Sequence, residues 1–580
     1  MIKVSEMKTK SNVDWKSINW KKIQLRVWRL QIKIYDCSKK KQNRLEVIKL
    51  QKTLINLLEA KLLAVRKVSQ DNRGKKMAGV DGISFLAPTK RLSLACTIKI
   101  DGRCDPIKRC LISKPGNLEE LRPLGIPTIR DRAKQALALL ALEPEWEAKF
   151  EKNSYGFRPG RRTHDAIEAI HSSINKSPKY VLDGDIQKCF DQINYDALLD
   201  KLNTFPIMRR QIRAWLKAKI LMQDKTIFPE KGTPQGGVLS PLLANIALNG
   251  IENMLSDWVS EIPALSPGGH RISKPNLRRR LLFARYADDF VVLHPQKEIV
   301  ESAKTLIEKF LKTMGLELHP DKTRITHTYI SVDNRKPGFK FLGFWIRNYQ
   351  VGKTKRGKRG MEYKTFIRPH PQNISEVLQK TKAVLRQNRN IVTVVERLNP
   401  IIRGWANYFS TVASKRVFTT MDKTLMVQLM KWGKRKHPTR SKAWIRNRYL
   451  IRDVKDGKFR LRFGYIGKKQ EVIGIHYFAE TPIVRYMKII GDKSIYDNDL
   501  VYWSERGRAL GNKAFSKSLR SVLCSQDNQC NICGLKFLPG DVIEIDHIVP
   551  KNAGGTNHYN NLQAVHGNCH DQKSLERGAV

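Results

Sequence analysis

The stretch that decides the fold is Leu281-Leu-Phe-Ala-Arg-Tyr-Ala-Asp-Asp-Phe-Val-Val-Leu293, in which two apolar runs flank a pair of adjacent aspartates. Apolar runs of this length on either side of a short turn predict a β-hairpin, with Asp288 and Asp289 at its tip. Two neighbouring carboxylates repel each other, and a divalent cation stabilises such a pair. Turns favour aspartate in any protein, however, so the pair predicts a metal site only if a further carboxylate joins it.

A third carboxylate is available upstream. Val181-Leu-Asp-Gly-Asp185 ends an apolar run with an acid, which predicts a buried strand that presents Asp185 at its end. Phosphoryl transfer with two Mg²⁺ ions ~3.5–4 Å apart needs oxygen ligands shared in this way. Short apolar runs alternate with helical stretches from about Gly79 onward, and this texture predicts a mixed α/β domain around the three acids.

Composition limits the classes of partner. The chain has 580 residues, of which 107 are Lys or Arg and 54 are Asp or Glu, and its formal net charge of +53 indicates a polyanionic partner. Hydrophobic residues make up 41%, enough for the cores that a disordered basic tail lacks. No apolar run approaches the ~18 residues of a membrane span, and the N-terminus has no apolar signal core. We therefore expect a soluble, multidomain protein that is not secreted.

Two basic stretches carry more specific expectations. Lys431–Arg452 is rich in Lys and Arg, contains no acid and includes Trp432, Trp444 and Tyr449. This interleaving predicts phosphate contacts with base or sugar stacking, and a solvated helix face is the alternative. Val351–His370 is basic and contains glycines, which predicts a loop or linker.

The order of motifs resembles that of the reverse transcriptases encoded by group II introns. The resemblance implies that Asp185, Asp288 and Asp289 bind the two Mg²⁺ ions and are catalytic. It implies that Phe190 is the aromatic residue that blocks a ribonucleotide 2′-hydroxyl. Gln187 departs from the family, which usually has a charged residue there, and the loop at 261–280 is extended. Neither departure removes a metal ligand.

Further motifs follow in family order. The fingers resemblance in Ile112-Ser-Lys114 and Leu121–Pro127 implies that Lys114 and Arg122 contact the incoming triphosphate. Nucleotide-positioning roles for Gln235 and Lys322 are likewise implied by their motifs. The remaining matches are the template segment Ser154–Pro159, the primer grip Phe339–Phe344 and the helical thumb or maturase segment Gly404–Phe409. Any one of these motifs also occurs by chance in a turn or a core helix. Chance does not give all of them in the order of the family.

The C-terminal segment has the spacing of a metal site. Cys530-x₂-Cys533 and His566-x₂-Cys569 offer four soft ligands of the kind that structural zinc prefers. Free thiols in a reducing compartment are the alternative. We expect zinc to be coupled to the folding of this module.

Between the two pairs, Glu544-Ile-Asp-His547 and Asn561 resemble an HNH nuclease, a ββα-metal hairpin and helix. The resemblance implies that His547 is the general base that deprotonates water and that Asn561 orients it. It also implies that Asp546 and His570 hold one divalent ion. A zinc ribbon that only binds DNA is the alternative, but such a ribbon does not need these four residues together.

The expected architecture is a multidomain α+β protein. It joins a right-hand polymerase with an antiparallel palm sheet, an α-helical thumb or maturase domain, a basic DNA-binding segment and the HNH zinc module. We place the N-terminal basic helical extension at 1–78, the fingers and palm at 79–350, the linker and thumb at 351–450, the DNA-binding segment at 451–520 and the nuclease at 521–580.

The implied function is intron mobility. The protein would bind intron RNA, assist its splicing, cut double-stranded target DNA and copy the RNA with dNTPs from the new 3′-hydroxyl. A homodimer is left open, and so is a bacterial cytoplasm or nucleoid versus a chloroplast or mitochondrion. Two other functions remain as alternatives: an RNA-binding splicing cofactor with a vestigial polymerase, and a standalone homing nuclease.

Overall fold

The computed structural model describes residues 15–40, 43–114, 117–175, 177–222, 225–266, 268–351, 362–455, 458–467, 471–499, 502–503, 505–506, 522–523, 525–527, 529–537, 543–550, 553–556, 558–567, 569–570 and 573. Half of the predicted linker (352–361) and the end of the predicted DNA-binding segment (507–520) lie outside these residues. None of the helices in the described ranges is long and apolar enough to cross a membrane.

The N-terminal region is helical, as its periodicity predicts. Its helices are α1 (Trp20–Lys39), α2 (Arg44–Asn56), α3 (Leu58–Arg66) and α4 (Pro88–Thr97). Asn19 caps the first of them, because its side chain accepts a hydrogen bond from the backbone N–H of Lys22. A π-helical turn, Lys67–Asp71, follows α3 directly. The buried faces of these helices share one hydrophobic cluster with α5 (Ile129–Glu147), so the extension is part of the main core.

Two four-stranded sheets follow. The first sheet has the order β2-β1-β4-β5 and corresponds to the expected fingers; its strands are β1 (Ile107–Lys114), β2 (Asn117–Ile126), β4 (Ile220–Met222) and β5 (Lys225–Ile227). The second sheet has the order β6-β7-β3-β8, is antiparallel throughout and corresponds to the expected palm; its strands are β3 (Tyr180–Asp185), β6 (Leu282–Tyr286), β7 (Asp289–His294) and β8 (Arg324–His327). The predicted hairpin at 281–293 is confirmed as β6 and β7.

The palm sheet is buried on both faces. Leu182, Phe290 and Val292 lie in the same hydrophobic cluster as the N-terminal helices. Val181 and Val291, which are the chain neighbours of these residues, lie in a second cluster with the C-terminal helices. This alternation is the period of a β-strand, and it explains why β7 reads as an uninterrupted apolar run. The polar ends of β3 and β7 are therefore held by a core on each side.

Helices surround the palm and connect its strands. They are α6 (Thr163–Ile174), α7 (Cys189–Gln192), α8 (Tyr195–Leu202), α9 (Pro206–Leu216), α10 (Ser240–Leu248), α11 (Ile251–Glu261), α12 (Lys274–Arg280) and α13 (Lys297–Thr313). In α13 the buried residues Val300, Ala303, Ile307 and Leu311 are spaced three or four apart, which gives the helix one apolar face, and the helix packs on β3 and β7.

The predicted linker is partly wrong. Its described end is strand β11 (Tyr363–Pro369), which pairs along its whole length with β10 (Phe344–Gln350), and β10 also pairs with β9 (Phe339–Phe341). The basic, glycine-containing tract that suggested a loop lies between β10 and β11. Because of this tract, the sequence did not predict the strand that follows it, in which Ile367 is buried in the second cluster.

The C-terminal half continues with helices and a small sheet. The helices are α14 (Pro371–Gln387), α15 (Ile391–Phe409), α16 (Lys415–Lys436) and α17 (Lys442–Tyr449), and the strands are β12 (Leu450–Lys455), β13 (Lys458–Ile466) and β14 (Val472–Gly474). Phe463 of β13 packs against Trp432 and Tyr449 of the helices. The small sheet is thus continuous with the helical region, although the sequence suggested a boundary at residue 450.

The expected nucleotide stacking by aromatic residues of Lys431–Arg452 is corrected for two of the three. Trp432 and Tyr449 are buried, at 2% and 5% exposure, and belong to the second cluster. Only Trp444 remains partly exposed, with Arg440 over its ring. Aromatic residues between basic ones at helical spacing here fill the core, while the basic residues occupy the outer face.

Candidate active sites

Three carboxylates meet at one end of the palm sheet. Asp185 ends β3 directly opposite Asp289, the first residue of β7. Asp288 lies beside it in the turn, where Ala287 adopts a φ of +59°. The sequence stretches at 181–185 and 281–293 are therefore adjacent strands, and their register brings together the three predicted metal ligands. Their catalytic assignment stays a prediction.

Arg285 holds this turn in place. Its side chain is fully buried and donates hydrogen bonds to Oγ of Ser154 (2.7 Å), to Oδ1 of Asn245 (3.0 Å) and to the backbone oxygen of Ala287 (3.0 Å). Burial lowers the pKa of its guanidinium to about 10, which still leaves it charged at neutral pH. The buried guanidinium thus ties the turn to two other segments of the chain, those of Ser154 and Asn245.

A glycine brings the expected template segment against the same turn. A Cβ on Gly156 would lie 2.2 Å from the backbone nitrogen of Ala287, so only glycine fits there. The carbonyl of Gly156 accepts a hydrogen bond from Asn245, and Tyr155 N–H donates to the carbonyl of Arg285. The segment at 154–158 therefore supports the aspartates from one side.

The aspartates are crowded enough to perturb one another. The Asp289 carboxylate reaches solvent, yet the protein around it and the charges of Asp288 and Asp185 raise its pKa to about 7. Burial also raises the pKa of Asp288, an effect that Asp185 reinforces and the positive charges of Arg122 and Lys322 oppose. These neighbouring carboxylates repel one another and offer oxygen atoms as ligands, and hard cations such as Mg²⁺ prefer oxygen ligands.

The predicted nucleotide-binding residues border this cluster. Nζ of Lys322 lies 2.8 Å from Oδ2 of Asp185, and Arg122 lies on β2 near enough for its charge to lower the pKa of Asp288. Gln235 donates a hydrogen bond to Asp191 (3.0 Å), and its backbone oxygen accepts one from Gly125 of β2. The side chain of Lys114 lies outside the described part of the chain.

Phe190 lies in α7, five residues after Asp185. It is partly buried, and its ring contacts the exposed ring of Phe157 edge-on, at 6.1 Å between centroids. Its backbone oxygen accepts a hydrogen bond from Thr233, so the loop before Gln235 also positions Phe190. The expected role of Phe190 as the filter for the 2′-hydroxyl stays a prediction.

The four predicted zinc ligands converge. Ligand atoms of Cys530, Cys533, His566 and Cys569 all lie within 4.8 Å of one another, and three of the four residues are buried. Hydrogen bonds from the thiols of Cys533 and Cys569 lower the pKa of Cys530 despite its burial, so the cluster favours a thiolate, the form that binds metal. Three sulfur donors and one imidazole fit tetrahedral zinc.

Two of the predicted nuclease residues, Asp546 and His547, end β15 (Ile543–His547), which pairs with β16 (Leu562–His566). Asn561 directly precedes β16, and His570 follows it. Oδ1 of Asp546 is 3.8 Å from Nε2 of His570, a separation that one ion can bridge because each metal–ligand bond is ~2.0–2.2 Å. The other imidazole nitrogen, Nδ1, lies 2.8 Å from Glu544, which orients the ring. His547 follows Asp546 at the end of the strand, partly exposed.

Asn561 makes contacts that differ from its expected role. Its side-chain amide donates to the backbone oxygens of Val549 (3.0 Å) and Thr556 (2.8 Å) and accepts from the N–H of Val549 (2.8 Å). These hydrogen bonds close the loop between His547 and β16. The geometry therefore favours a residue that positions the loop over one that orients the attacking water.

Sequence reasoning missed several supporting residues. Arg285 was detectable only as a charged residue inside an apolar strand, and nothing indicated its partners. Burial, with the charge of Asp289 adding to it, raises the pKa of Asp183 to about 7, although the motif drew attention to Asp185 alone. In the nuclease, Lys573 contacts Oδ2 of Asp546 (2.5 Å) and the backbone oxygen of His547 (2.9 Å).

Sequence comparisons agree with this pair of sites. Four family models match in order: "N-terminal domain of reverse transcriptase" at 15–98, "Reverse transcriptase (RNA-dependent DNA polymerase)" at 112–346, "Group II intron, maturase-specific domain" at 374–450 and "HNH endonuclease" at 530–576. The fold and sites thus define a polymerase joined to a nuclease. The chain belongs to the reverse transcriptase family encoded by group II introns.

Individual relatives support the same family. Protein YkfC of Escherichia coli (strain K12) is 30% identical over 51% of this chain and 83% of its own length. The group II intron-encoded protein LtrA of Lactococcus lactis subsp. cremoris is 31% identical over 43% of this chain and 48% of its own. The 91 kDa protein in the cob intron of Schizosaccharomyces pombe is 28% identical over 54% and 44%. The matches thus span about half the length of the latter two relatives.

Proposed function

We propose that this protein copies intron RNA into DNA, assists splicing of that RNA and cuts the DNA strand whose 3′-hydroxyl primes the copying. One observation carries the proposal: a chain with maturase and polymerase family matches contains two separate acid sites, one on the palm sheet and one on a zinc-type hairpin. A vestigial polymerase has no need to keep Asp185, Asp288 and Asp289 together. A standalone nuclease has no need of residues 79–450.

In the polymerase site, Mg²⁺ ions held by the three aspartates would activate the primer hydroxyl and neutralise charge on the triphosphate. The chain supplies the geometry. Arg285 fixes the turn, while Arg122 and Lys322 place positive charge where the phosphates of a dNTP would lie. We expect an arriving triphosphate to compete with Asp185 for the ammonium of Lys322. Phe190 would exclude the 2′-hydroxyl of a ribonucleotide.

In the nuclease site, His547 would take a proton from water, and a divalent ion at Asp546 and His570 would stabilise the phosphate charge that develops. Glu544 orients His570, and Lys573 offsets the charge of Asp546. Although burial opposes it, the hydrogen bonds from Lys573 and Gln563 lower the pKa of Asp546, so this carboxylate is ionised and ready for a cation.

The helices at 371–449 would form the thumb and hold intron RNA. Exposed basic residues cover α16, α17 and the turn between them, while Trp432 and Tyr449 are buried. The exposed residues are Lys431, Lys434, Arg440, Lys442, Arg446 and Arg448. A face of this kind binds phosphates without reading bases. We include target DNA and dNTPs among the ligands, and leave a homodimer open.

The test is primer extension on intron RNA beside a splicing assay, with the variant Asp288→Ala. Loss of a metal ligand should reduce extension by ~10³-fold or more, since several kcal/mol of metal stabilisation are involved and each 1.4 kcal/mol is tenfold. Splicing should remain, because the basic faces are unchanged. Unchanged extension would contradict the metal assignment.

The matched control is Asp200→Ala, which removes an exposed acid of α8 that pairs with Arg209 and is not a proposed ligand. It should keep extension within a few-fold of the parent. Equal losses of extension and splicing in Asp288→Ala would show that the two functions are not separate.

A further inference from the structure

The zinc-type module is in contact with the opposite end of the chain. Arg66, the last residue of α3, donates from its NH2 nitrogen to Sγ of Cys533 (3.4 Å) and Sγ of Cys569 (3.8 Å). Arg66 is only 3% exposed, and its guanidinium lies over the ring of Trp20 at 4.7 Å from the centroid. A buried cation of the N-terminal helices therefore rests on two of the predicted zinc ligands.

The surrounding contacts form an interface. The backbone N–H of Lys536 donates to Oε1 of Gln24 on α1 (3.2 Å), and Gly534 lies against the side chain of Lys21. Leu535, between them, is 6% exposed and belongs to the main hydrophobic cluster rather than to the small clusters of the C-terminal module. The turn that carries Cys530 and Cys533 thus inserts one apolar side chain into the core of the N-terminal helices.

The charge of the metal-loaded cluster is complementary to that of Arg66. Three thiolates and one neutral imidazole around Zn²⁺ leave a net charge of −1, and a buried guanidinium is well suited to balance it. Arg66 is held for this contact by Trp20 and by Asp71, whose Oδ1 lies 3.5 Å from Nε. Asp71 ends the π-helical turn that directly follows Arg66.

We propose that the metal-loaded C-terminal module docks on the N-terminal helices through Arg66 and Leu535, so that zinc fixes the position of the nuclease on the polymerase body. Arg66 is a positioning residue: it touches the ligands of the structural metal and no reacting atom. The docking concerns the chain's own architecture, and it stands whether or not the proposed strand cleavage is correct.

The experiment is hydrogen–deuterium exchange on the full-length protein, with bound zinc measured in the same samples. Removal of zinc by chelation should increase exchange both in 529–537 and in the segments of α1 and α3 that face it, near residues 20–24 and 62–66. The increase should be roughly 10- to 100-fold, the equivalent of a charge-assisted hydrogen bond. Unchanged exchange in α1 and α3 after complete removal of zinc would overturn the proposal.

Two variants separate docking from metal binding. Arg66→Met keeps the stem of the side chain and removes its charge, and Leu535→Asp removes the apolar anchor from the module side. Both should retain the parent's zinc content and show increased exchange at 20–24. If Arg66→Met unfolds the N-terminal helices, Leu535→Asp still decides, because it changes no residue of those helices.

The matched control is Lys49→Met, which removes the charge of an exposed lysine of α2 that is not part of this interface. It should keep the exchange pattern of the parent at 529–537. Parent-like exchange at 20–24 in Leu535→Asp with zinc retained would mean that the contact does not hold the module, and the proposal would be wrong.

Discussion

The two candidate active sites of this protein, the palm aspartates and the nuclease hairpin, are held in place by different interactions. The palm aspartates lie at one end of a sheet that is packed on both faces, and their turn is anchored by a buried arginine. Among the described residues, the nuclease hairpin packs in two small clusters, one of which consists largely of cysteines of the predicted zinc site. A large core can fix a site by packing, whereas a small module needs a metal. Substitutions should therefore damage the palm site by weakening its packing and the nuclease site by reducing its metal content.

The largest effect on stability is expected from Arg285→Met. It leaves Ser154, Asn245 and the Ala287 carbonyl without their buried cation, and should lower the free energy of unfolding of the polymerase by about 3–5 kcal/mol. Denaturant unfolding monitored by tryptophan fluorescence measures this. The control is Arg278→Met, which breaks a surface ion pair with Asp257 and should cost less than ~1 kcal/mol. Equal losses in both variants would contradict the anchoring role.

A smaller effect concerns pH. Folding raises the pKa of Asp289 above its usual range to about 7, so the proton is held most tightly in the folded, metal-free site. Below about pH 7 a proton competes with Mg²⁺, and the half-saturating Mg²⁺ concentration for primer extension should rise about tenfold per pH unit. Above pH 7 it should level off. A requirement that is flat from pH 5.5 to 8.5 would place the metals on other residues.

The smallest effect is expected from Phe190→Val. Removal of the ring of the proposed filter should admit a 2′-hydroxyl and reduce the preference for dNTPs over rNTPs by roughly tenfold or more. Competition between the two nucleotides in primer extension measures this. Phe228→Val, which changes an exposed aromatic residue, should leave the preference unchanged. A parent-like preference in Phe190→Val would make Phe190 a packing residue.

The sequence predicts features that depend on residues close together in the chain, and it does not predict contacts between distant segments. The hairpin at 281–293 and the zinc spacings are local patterns, and the structure confirms the hairpin and brings the four zinc-type ligands together. Arg285 was out of reach because its partners Ser154 and Asn245 come from distant segments. The sequence predicts nucleotide stacking for Trp432, and this prediction is wrong because composition cannot tell the buried face of a helix from its exposed face.

The same limit applies to the contact between Arg66 and the cysteines. Its two sides lie more than four hundred residues apart in the chain, and no pattern in either of them indicates the other. Asn561 differs again: its motif was visible, but a motif does not say whether an amide contacts water or the backbone of its own loop.

The central claim is that one chain carries two independently supported active sites, and His547→Ala tests it most directly. Loss of the general base should reduce nicking of duplex DNA by ~10²–10⁴-fold while zinc content stays at the parent value. Copying into uncut DNA should fall with it, and pre-nicked DNA should restore copying, because Asp185, Asp288 and Asp289 are untouched. Nicking at the parent rate would contradict the nuclease assignment, and failure of pre-nicked DNA to restore copying would contradict the independence of the two sites.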